Sequence, residues 1–542
     1  MKTVHERFAA TAARSPDGEF LFVDAVTAQA YGIPDETITW AQAAGEVERL
    51  RAAYAAAGYG HGHRVGLLLE NRPAFLFHWF ALNALGASVV PINAEMRAAE
   101  LEYLIGHSEI CLAVTLPLRA AELRAAADAA GVRMELAAHD GAGAFPAAPQ
   151  AAPFAHEHPG EHTECALLYT SGTTGRPKGC RLSNAYFLRA GQWYAELDGI
   201  CRVRPGEERV ITPLPLNHVN AMAFSTMVVL TAGGCLIQLD RFHPTSWWAS
   251  VRASRATIVH YLGVMPAMLL AAAASPDDDR AHDVRWGFGA GVDRQNHAAF
   301  EQRFGFALVE AWAMTETGAA ACVMANRGPR HIGTSCFGRP EAFVEVRLVD
   351  DAGDEVANGT PGELWVRAAG DDPRRHFFSG YLKDEAATEE AWQSGWFHTG
   401  DMVRRDDTGS LYFVDRKKNV IRRSGENISA VEVESVLNQH PAVKSAAVAA
   451  TPDALRGDEV LACVITRDPL PASDRAALAA SIVEHALARL AYYKAPGYLA
   501  FVEEVPLTPS QKIQRGQLRE LARSLPGQAC CIDTRAMKKR QG

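Results

Sequence analysis

Apolar runs of two different periods alternate along the first third of this chain, and no other feature narrows its possible folds as much. "RVGLLLEN" (64–71) and "SVVPIN" (88–93) read as buried strands. Between them "PAFLFHWFALNALGA" (73–87) reads as an apolar helix opened by Pro73 and ended near Gly86. Upstream, "ITWAQAAGEVERLRAAYAAAG" (38–58) has helical spacing and stops at Gly58. Strand–helix–strand order of this kind implies mostly parallel sheets flanked by helices, an α/β fold. The pattern resumes from Asp198 to about Gly305, with "GGCLIQL" and "ATIVHYLG" as strands.

Two stretches break it. Residues 117–155 are alanine-rich; "AAELRAAADAAG" reads as a surface helix and "GAGAFPAAPQAAPFA" as a mobile loop. Residues 331–415 read as short antiparallel strands joined by Gly, Asp and Asn turns, a small β-barrel-like subdomain that includes "GELWVR" and "GSLYFVDR". A charged stretch after Asp415 leads into a compact α+β pattern. The helix "AVEVESVLNQ", the strands "VKSAAVAAT" and "EVLACVIT", and an amphipathic helix around 473–490 make it up. A length of 542 residues fits this division into several units. The expected domains are a large N-terminal one (1–417) and a smaller, mobile C-terminal one (418–542).

Bulk properties exclude some functions. A net charge of −9, without any block of lysines or arginines, gives no reason to expect nucleic acid. No run of eighteen apolar residues spans a membrane, and the first twenty residues lack a secretory core. Ten scattered cysteines without a CxxC suit a reducing compartment, so the expected location is the cytoplasm.

The segment "YTSGTTGRPKG" (169–179) follows a buried strand. Small residues in sequence let backbone N–H groups converge on one point, hydroxyls add donors, and Lys178 adds a cation, which is how a chain grips phosphate oxygens. Taken alone, a flexible linker is an equal alternative. It is not a P-loop, because no Gly-Lys-Ser/Thr follows.

The segment resembles the phosphate-loop signature of the adenylate-forming superfamily: acyl-CoA synthetases, firefly luciferase and the adenylation domains of peptide synthetases. The family's other signatures follow in order: "LPLNHVNAMAF" (214–224), "GFGAG" (287–291), "AWAMTETG" (311–318), "GELWVR" (362–367), "WFHTGD" (396–401), "DRKKNVIRRSGENISAVEVE" (415–434) and "PLTPSQKIQRGQLR" (506–519). The resemblance covers nearly the whole chain and comes nearest to the carnitine/crotonobetaine–CoA ligases.

It implies an enzyme that joins a carboxylate to the α-phosphorus of ATP, releases pyrophosphate, and passes the acyl group to CoA. By position, Thr170, Ser171, Gly172, Thr173, Thr174 and Gly175 would hold the β- and γ-phosphates, with Lys178 beside them. Thr315 would bond the α-phosphate and Glu316 would ligate Mg²⁺. Gly289, Ala290 and Gly291 would lie against adenine, as would the stretch Glu310, Ala311, Trp312, Ala313 and Met314. Trp312 stands where the family has Tyr or Phe; Glu310 and Ala313 depart from its usual amide and glycine. Asp401 would accept from the ribose hydroxyls and Arg416 would reach ribose or phosphate.

Lys512 resembles the catalytic lysine of the C-terminal domain, and its acetylation would switch off adenylation. Lys418 stands at the family's hinge, and Ser424, Gly425 and Glu426 would border the pantetheine tunnel. Lys494 in "YYKAP" could lie near CoA. His218 resembles the gate between acyl pocket and ATP, although a histidine in an apolar run is more often a core residue. Asn217 and Asn220 make that wall polar. The alternative function is a stand-alone adenylation enzyme loading an amino or aryl acid onto a carrier protein. "NHVNAMAF" lacks the aspartate such enzymes place after the histidine, and no carrier domain follows Lys512. The identity of the acid is not legible, and a homodimer is left open.

Overall fold

The computed structural model describes residues 1–140, 144–170, 177–275, 280–423, 426–453, 456–490, 492–507 and 513–538. The chain forms two compact units, Met1–Val346 with Val366–Phe397, and Arg347–Trp365 with His398–Gly542.

Among the described residues, two sheets lie wholly within the first unit. One has six strands, in the order Glu135–Ala138, Leu112–Thr115, Arg64–Leu68, Ser88–Pro91, Glu164–Thr170 and Lys178–Ser183. All its pairings are parallel except the last, an antiparallel hairpin. The other has eight strands. Its central six, from Ala307–Trp312 through Trp286–Ala290, Ile258–Leu262, Arg209–Thr212 and Cys235–Gln238 to Glu19–Phe22, are parallel. Antiparallel edge strands close it on both sides.

Helix Pro73–Ala84 begins with proline, whose missing N–H is no loss in a first turn, and buries every residue from Phe75 to Asn83. A helix apolar all round has to lie inside, and this one does. Asn83 accepts the N–H of His5 at 2.9 Å and donates to Asn184 at 2.8 Å, while Asn184 accepts from Val4 at 3.1 Å. Three helices are thereby joined through two buried amides. The alanine-rich loop differs from expectation: Phe145 is buried and stacks on Tyr54 at 4.1 Å, so this part of the loop is packed.

In the second unit the strands Val443–Asp453 and Gly457–Thr466 pair antiparallel over ten positions. Helices Ala430–Leu437 and Arg475–Leu487 contribute Val433, Leu437, Ile482 and Val483 to one apolar cluster, whereas helix Arg515–Ser524 contributes Leu518 and Ala522 to another. Among the described residues no helix is long and apolar enough to cross a membrane.

Candidate functional site

Two paired strands flank the glycine-rich segment. Strands Glu164–Thr170 and Lys178–Ser183 bring Thr170 opposite Lys178, so the neck of the loop is fixed. Ser171, Gly172, Thr173, Thr174 and Gly175 lie outside the described residues. Alongside the second strand runs 379–382: Leu382 donates to the Gly179 carbonyl at 2.8 Å and Arg181 to that of Gly380 at 3.0 Å. These bonds set the position of Tyr381, a residue that no motif singles out. The Lys178 ammonium lies 4.8 Å from the centre of its ring, and its hydroxyl donates to Glu316 Oε1 at 2.9 Å. Burial and the adjacent Glu316 charge both push the phenol's pKa up, so it remains a donor.

The turn bearing Thr315 and Glu316 is closed by its own sequence. Met314 N–H donates to Thr317 Oγ1 at 3.0 Å and Gly318 N–H to the Met314 carbonyl at 2.9 Å. Gly318 has φ +48°, and a β-carbon there would sit 2.5 Å from the Tyr186 ring. The Tyr186 hydroxyl holds the Thr315 carbonyl at 2.8 Å. The Thr315 hydroxyl itself makes no hydrogen bond among the described residues. Thr170, Lys178, Thr315 and Glu316 thus assemble around Tyr381 and Tyr186.

A second group forms at the ends of adjacent parallel strands. Gly291 (φ +77°) and Ala290 are exposed at the end of Trp286–Ala290. Glu310 is buried, and its two carboxylate oxygens accept the N–H groups of Gly291 and Val292 at 2.9 and 2.8 Å. Burial raises its pKa and these two bonds pull it down. Glu310 therefore holds the turn at 291–292 in place. Trp312 is also buried, with its ring 6.2 Å from that of Phe337; Ala311 is buried, and Ala313 and Met314 are half-buried.

Backbones approach closely here. A β-carbon on Gly289 would lie 2.3 Å from the Tyr261 carbonyl oxygen, and one on Gly263 would lie 1.6 Å from that of Gly291. Gly263→Ala should displace the 291 turn and destabilise the protein by about 1–3 kcal/mol, the usual cost of overpacking. Urea denaturation with an unchanged midpoint would contradict this.

His218 is exposed and precedes a π-helical turn, Asn220–Ser225. Under that turn lies a residue the sequence did not mark, His260, fully buried on strand Ile258–Leu262. Asn220 Oδ1, an acceptor, is 2.9 Å from its Nδ1, so that nitrogen carries the proton and Nε2 accepts the Tyr194 hydroxyl at 2.8 Å. Ser225 Oγ lies 2.7 Å from Nδ1 and donates to the Asn220 carbonyl at 3.3 Å. Burial lowers the imidazole pKa to about 3, so the ring is neutral. Asn220 is held by its oxygen, and its amide nitrogen has no partner among the described residues.

In the second unit Asp401 and Arg416 stand opposite each other on paired strands, and Arg416 Nε lies 2.7 Å from Asp401 Oδ1. The two residues read separately as ribose ligands form one ion pair. Asp401 is buried, and its N–H donates to Thr399 Oγ1 at 3.0 Å.

The Lys418 and Glu426 side chains, Ser424, Gly425 and Lys512 lie outside the described residues, but their supports do not. Strands Ile421–Arg423 and Glu426–Ile428 close around 424–425. The bridge Leu507–Ile513 closes the neck of 508–512. Just beyond it, Arg515 grips both oxygens of buried Glu434 at 2.6 and 2.7 Å. Lys494 is bonded to Glu432 at 2.7 and 2.9 Å, which makes it a strut within this unit.

Known proteins match this arrangement along its length. The family profile described as AMP-binding enzyme fits residues 8–382, and that of the AMP-binding enzyme C-terminal domain fits 432–512. Sulfoacetate–CoA ligase of Cupriavidus necator is 31% identical over 488 residues, 89% of this chain and 92% of that protein. Crotonobetaine/carnitine–CoA ligase of Escherichia coli is 30% identical over 490 residues, 88% of this chain and 91% of its own. ATP-bound MatB from Rhodopseudomonas palustris superposes with a TM-score of 0.81 at 25% identity, covering 97% of this chain and 100% of the other. The chain belongs to the AMP-binding enzyme family. Within that family it is an ATP-dependent acid–CoA ligase of the AMP-forming kind.

Proposed function

We propose that the acid this ligase activates is short and carries a second polar group, that Mg²⁺ accompanies its ATP, and that the chemistry proceeds in two steps in the cytoplasm. The observation that carries the choice of acid is Asn220. A neutral histidine fixes its oxygen, leaving the amide N–H₂ as an oriented donor beside His218. A hydrocarbon tail would leave that donor unpaired, and an unmade bond at a desolvated polar group costs about 1–3 kcal/mol. The relatives named for sulfoacetate and for crotonobetaine and carnitine take small acids bearing a second charged group, which agrees with this reading. Ten free cysteines suit a reducing compartment.

In the first step a carboxylate oxygen bonds to the α-phosphorus. The bond from phosphorus to the bridging oxygen breaks, and pyrophosphate leaves with the electron pair. An anion attacks a polyanion here, so fixed donors and cations must offset the repulsion. The 170–175 loop and Lys178 would hold the β- and γ-phosphates, the free Thr315 hydroxyl the α-phosphate, and Lys512 the transferring oxygens. Among the described residues no three His, Cys, Asp or Glu side chains converge on a metal. Glu316 is a single buried carboxylate anchored through one oxygen by Tyr381, which suits an ion that takes one protein carboxylate and completes its shell with phosphates and water. Mg²⁺ held there would supply neutralisation of phosphate charge.

In the second step the deprotonated CoA sulfur bonds to the acyl carbon and AMP leaves. Turning at Lys418 would exchange Lys512 for the 424–426 segment at the reacting centre.

A pyrophosphate-release screen over short-chain, dicarboxylic, aromatic and betaine acids, with and without CoA, tests this. The expected result is release with small polar acids and a thioester that forms when CoA is added. Release with amino or aryl acids and no CoA product would favour loading of a carrier protein, and preference for long hydrocarbon acids would refute the role given to Asn220.

A further inference from the structure

Arg423 ends strand Ile421–Arg423, paired in register with Glu426 on one side and with Gly457 on the other. It is buried, and its Nε lies 2.9 Å from both oxygens of Glu459, a carboxylate with no solvent exposure. A second cation reaches the same carboxylate: Lys538 Nζ lies 2.5 Å from Glu459 Oε1. Val460 N–H also donates to that oxygen, at 2.9 Å, and the half-exposed Arg456 stands 3.6 Å from the other.

Lys538 comes from beyond the family-matched C-terminal region, which ends at residue 512. The extra chain is built into the unit. Strand Cys531–Asp533 pairs with Tyr498–Phe501, and Thr534 donates its N–H to Gly497 at 3.0 Å and its hydroxyl to Pro496 at 2.8 Å. A β-carbon on Gly497 would lie 2.4 Å from Glu459 Cδ, so glycine is what allows the carboxylate to sit here. Burial pulls the Lys538 ammonium down to about 8 against the upward pull of Glu459, which leaves it charged at neutral pH.

We propose that Lys538 is a positioning residue for the thioester-forming step: through Glu459 it fixes Arg423, and through Arg423 it fixes the strand pair Ile421–Arg423 and Glu426–Ile428. The inference rests on the reading that the segment 424–426, which these strands flank, borders the path of the CoA thiol. A buried carboxylate is oriented by the donors it keeps, and removing one charged donor frees it to turn and carries Arg423 with it. The Lys512 loop has an anchor of its own, Arg515 on Glu434, so the two halves of the reaction are supported separately.

Lys538→Met keeps the length of the side chain and removes its charge, and Lys538→Arg restores the charge. In the full-length protein, pyrophosphate exchange measures adenylation, and thioester formation from supplied acyl-AMP measures the second step, with an acid taken from the screen. Lys538→Met should leave adenylation within about twofold and lower kcat/KM for CoA by about 10- to 100-fold, since a shift of about 1 Å near a reacting centre can cost that much. Lys538→Arg should recover most of it. Hydrogen exchange at 421–428 should quicken in Lys538→Met while that at 513–524 does not.

An unchanged second step, equal loss of both steps, or exchange that quickens evenly across the C-terminal unit would overturn the proposal. Absence of any pyrophosphate exchange in the unaltered protein would instead count against the ligase reading, and hydrogen exchange would still decide the link from Lys538 to the strand pair.

Discussion

Replacing Lys512 by alanine is expected to lower adenylation by about 10²–10³ while leaving thioester formation from supplied acyl-AMP close to that of the unaltered enzyme. Loss of one preorganised donor at a developing oxyanion costs about that factor. In the role proposed for it, the lost group would be a full charge facing a carboxylate and a phosphate that repel each other. Lys512 itself lies outside the described residues, but its loop is closed by the Leu507–Ile513 bridge and anchored three residues on by Arg515. Single-turnover measurement of both half-reactions checks the division of labour. Equal impairment of the two would show that Lys512 is not specific to the first.

Glu316→Gln should have a comparable effect for a different reason. Glutamine retains the shape of the side chain and an oxygen able to accept the Tyr381 hydroxyl, now 2.9 Å from Glu316 Oε1, so the fold should persist. The negative charge that would hold Mg²⁺ is lost. Adenylation is expected to fall on the order of 10²-fold, and the Mg²⁺ concentration for half-maximal rate to rise. A variant with an unaltered melting temperature and an unaltered Mg²⁺ dependence would remove Glu316 from that role.

The sequence conveyed the framework better than the contacts made on it. Strands such as Arg64–Leu68 and Ser88–Pro91 and the wholly apolar helix Pro73–Ala84 are local patterns, and they fold where their periods say. Phe145 gave no such signal. One aromatic in a run of alanine and proline has no period, and its stacking on Tyr54 joins positions far apart in the chain. The same limit applied to the site. Glu310 reads as part of the adenine stretch; that its carboxylate closes on the backbone of residues 291 and 292, across neighbouring parallel strands, is a contact no linear pattern shows. Asp401 and Arg416 were legible as a pair of candidates; their opposition in register was not. Tyr381, His260 and Lys538 are not legible because each is bonded to a partner that a linear reading does not bring near: Glu316, Asn220 and Glu459.

The buried imidazole beneath Asn220 has a consequence for how the enzyme can be regulated. Burial lowers the pKa of that ring to about 3, so the hold on the Asn220 oxygen should not change across the physiological pH range. Acidification or alkalinisation should then act through other groups, such as those handling phosphate and thiol, or through ionisation of the substrate itself, rather than through the contact that orients Asn220.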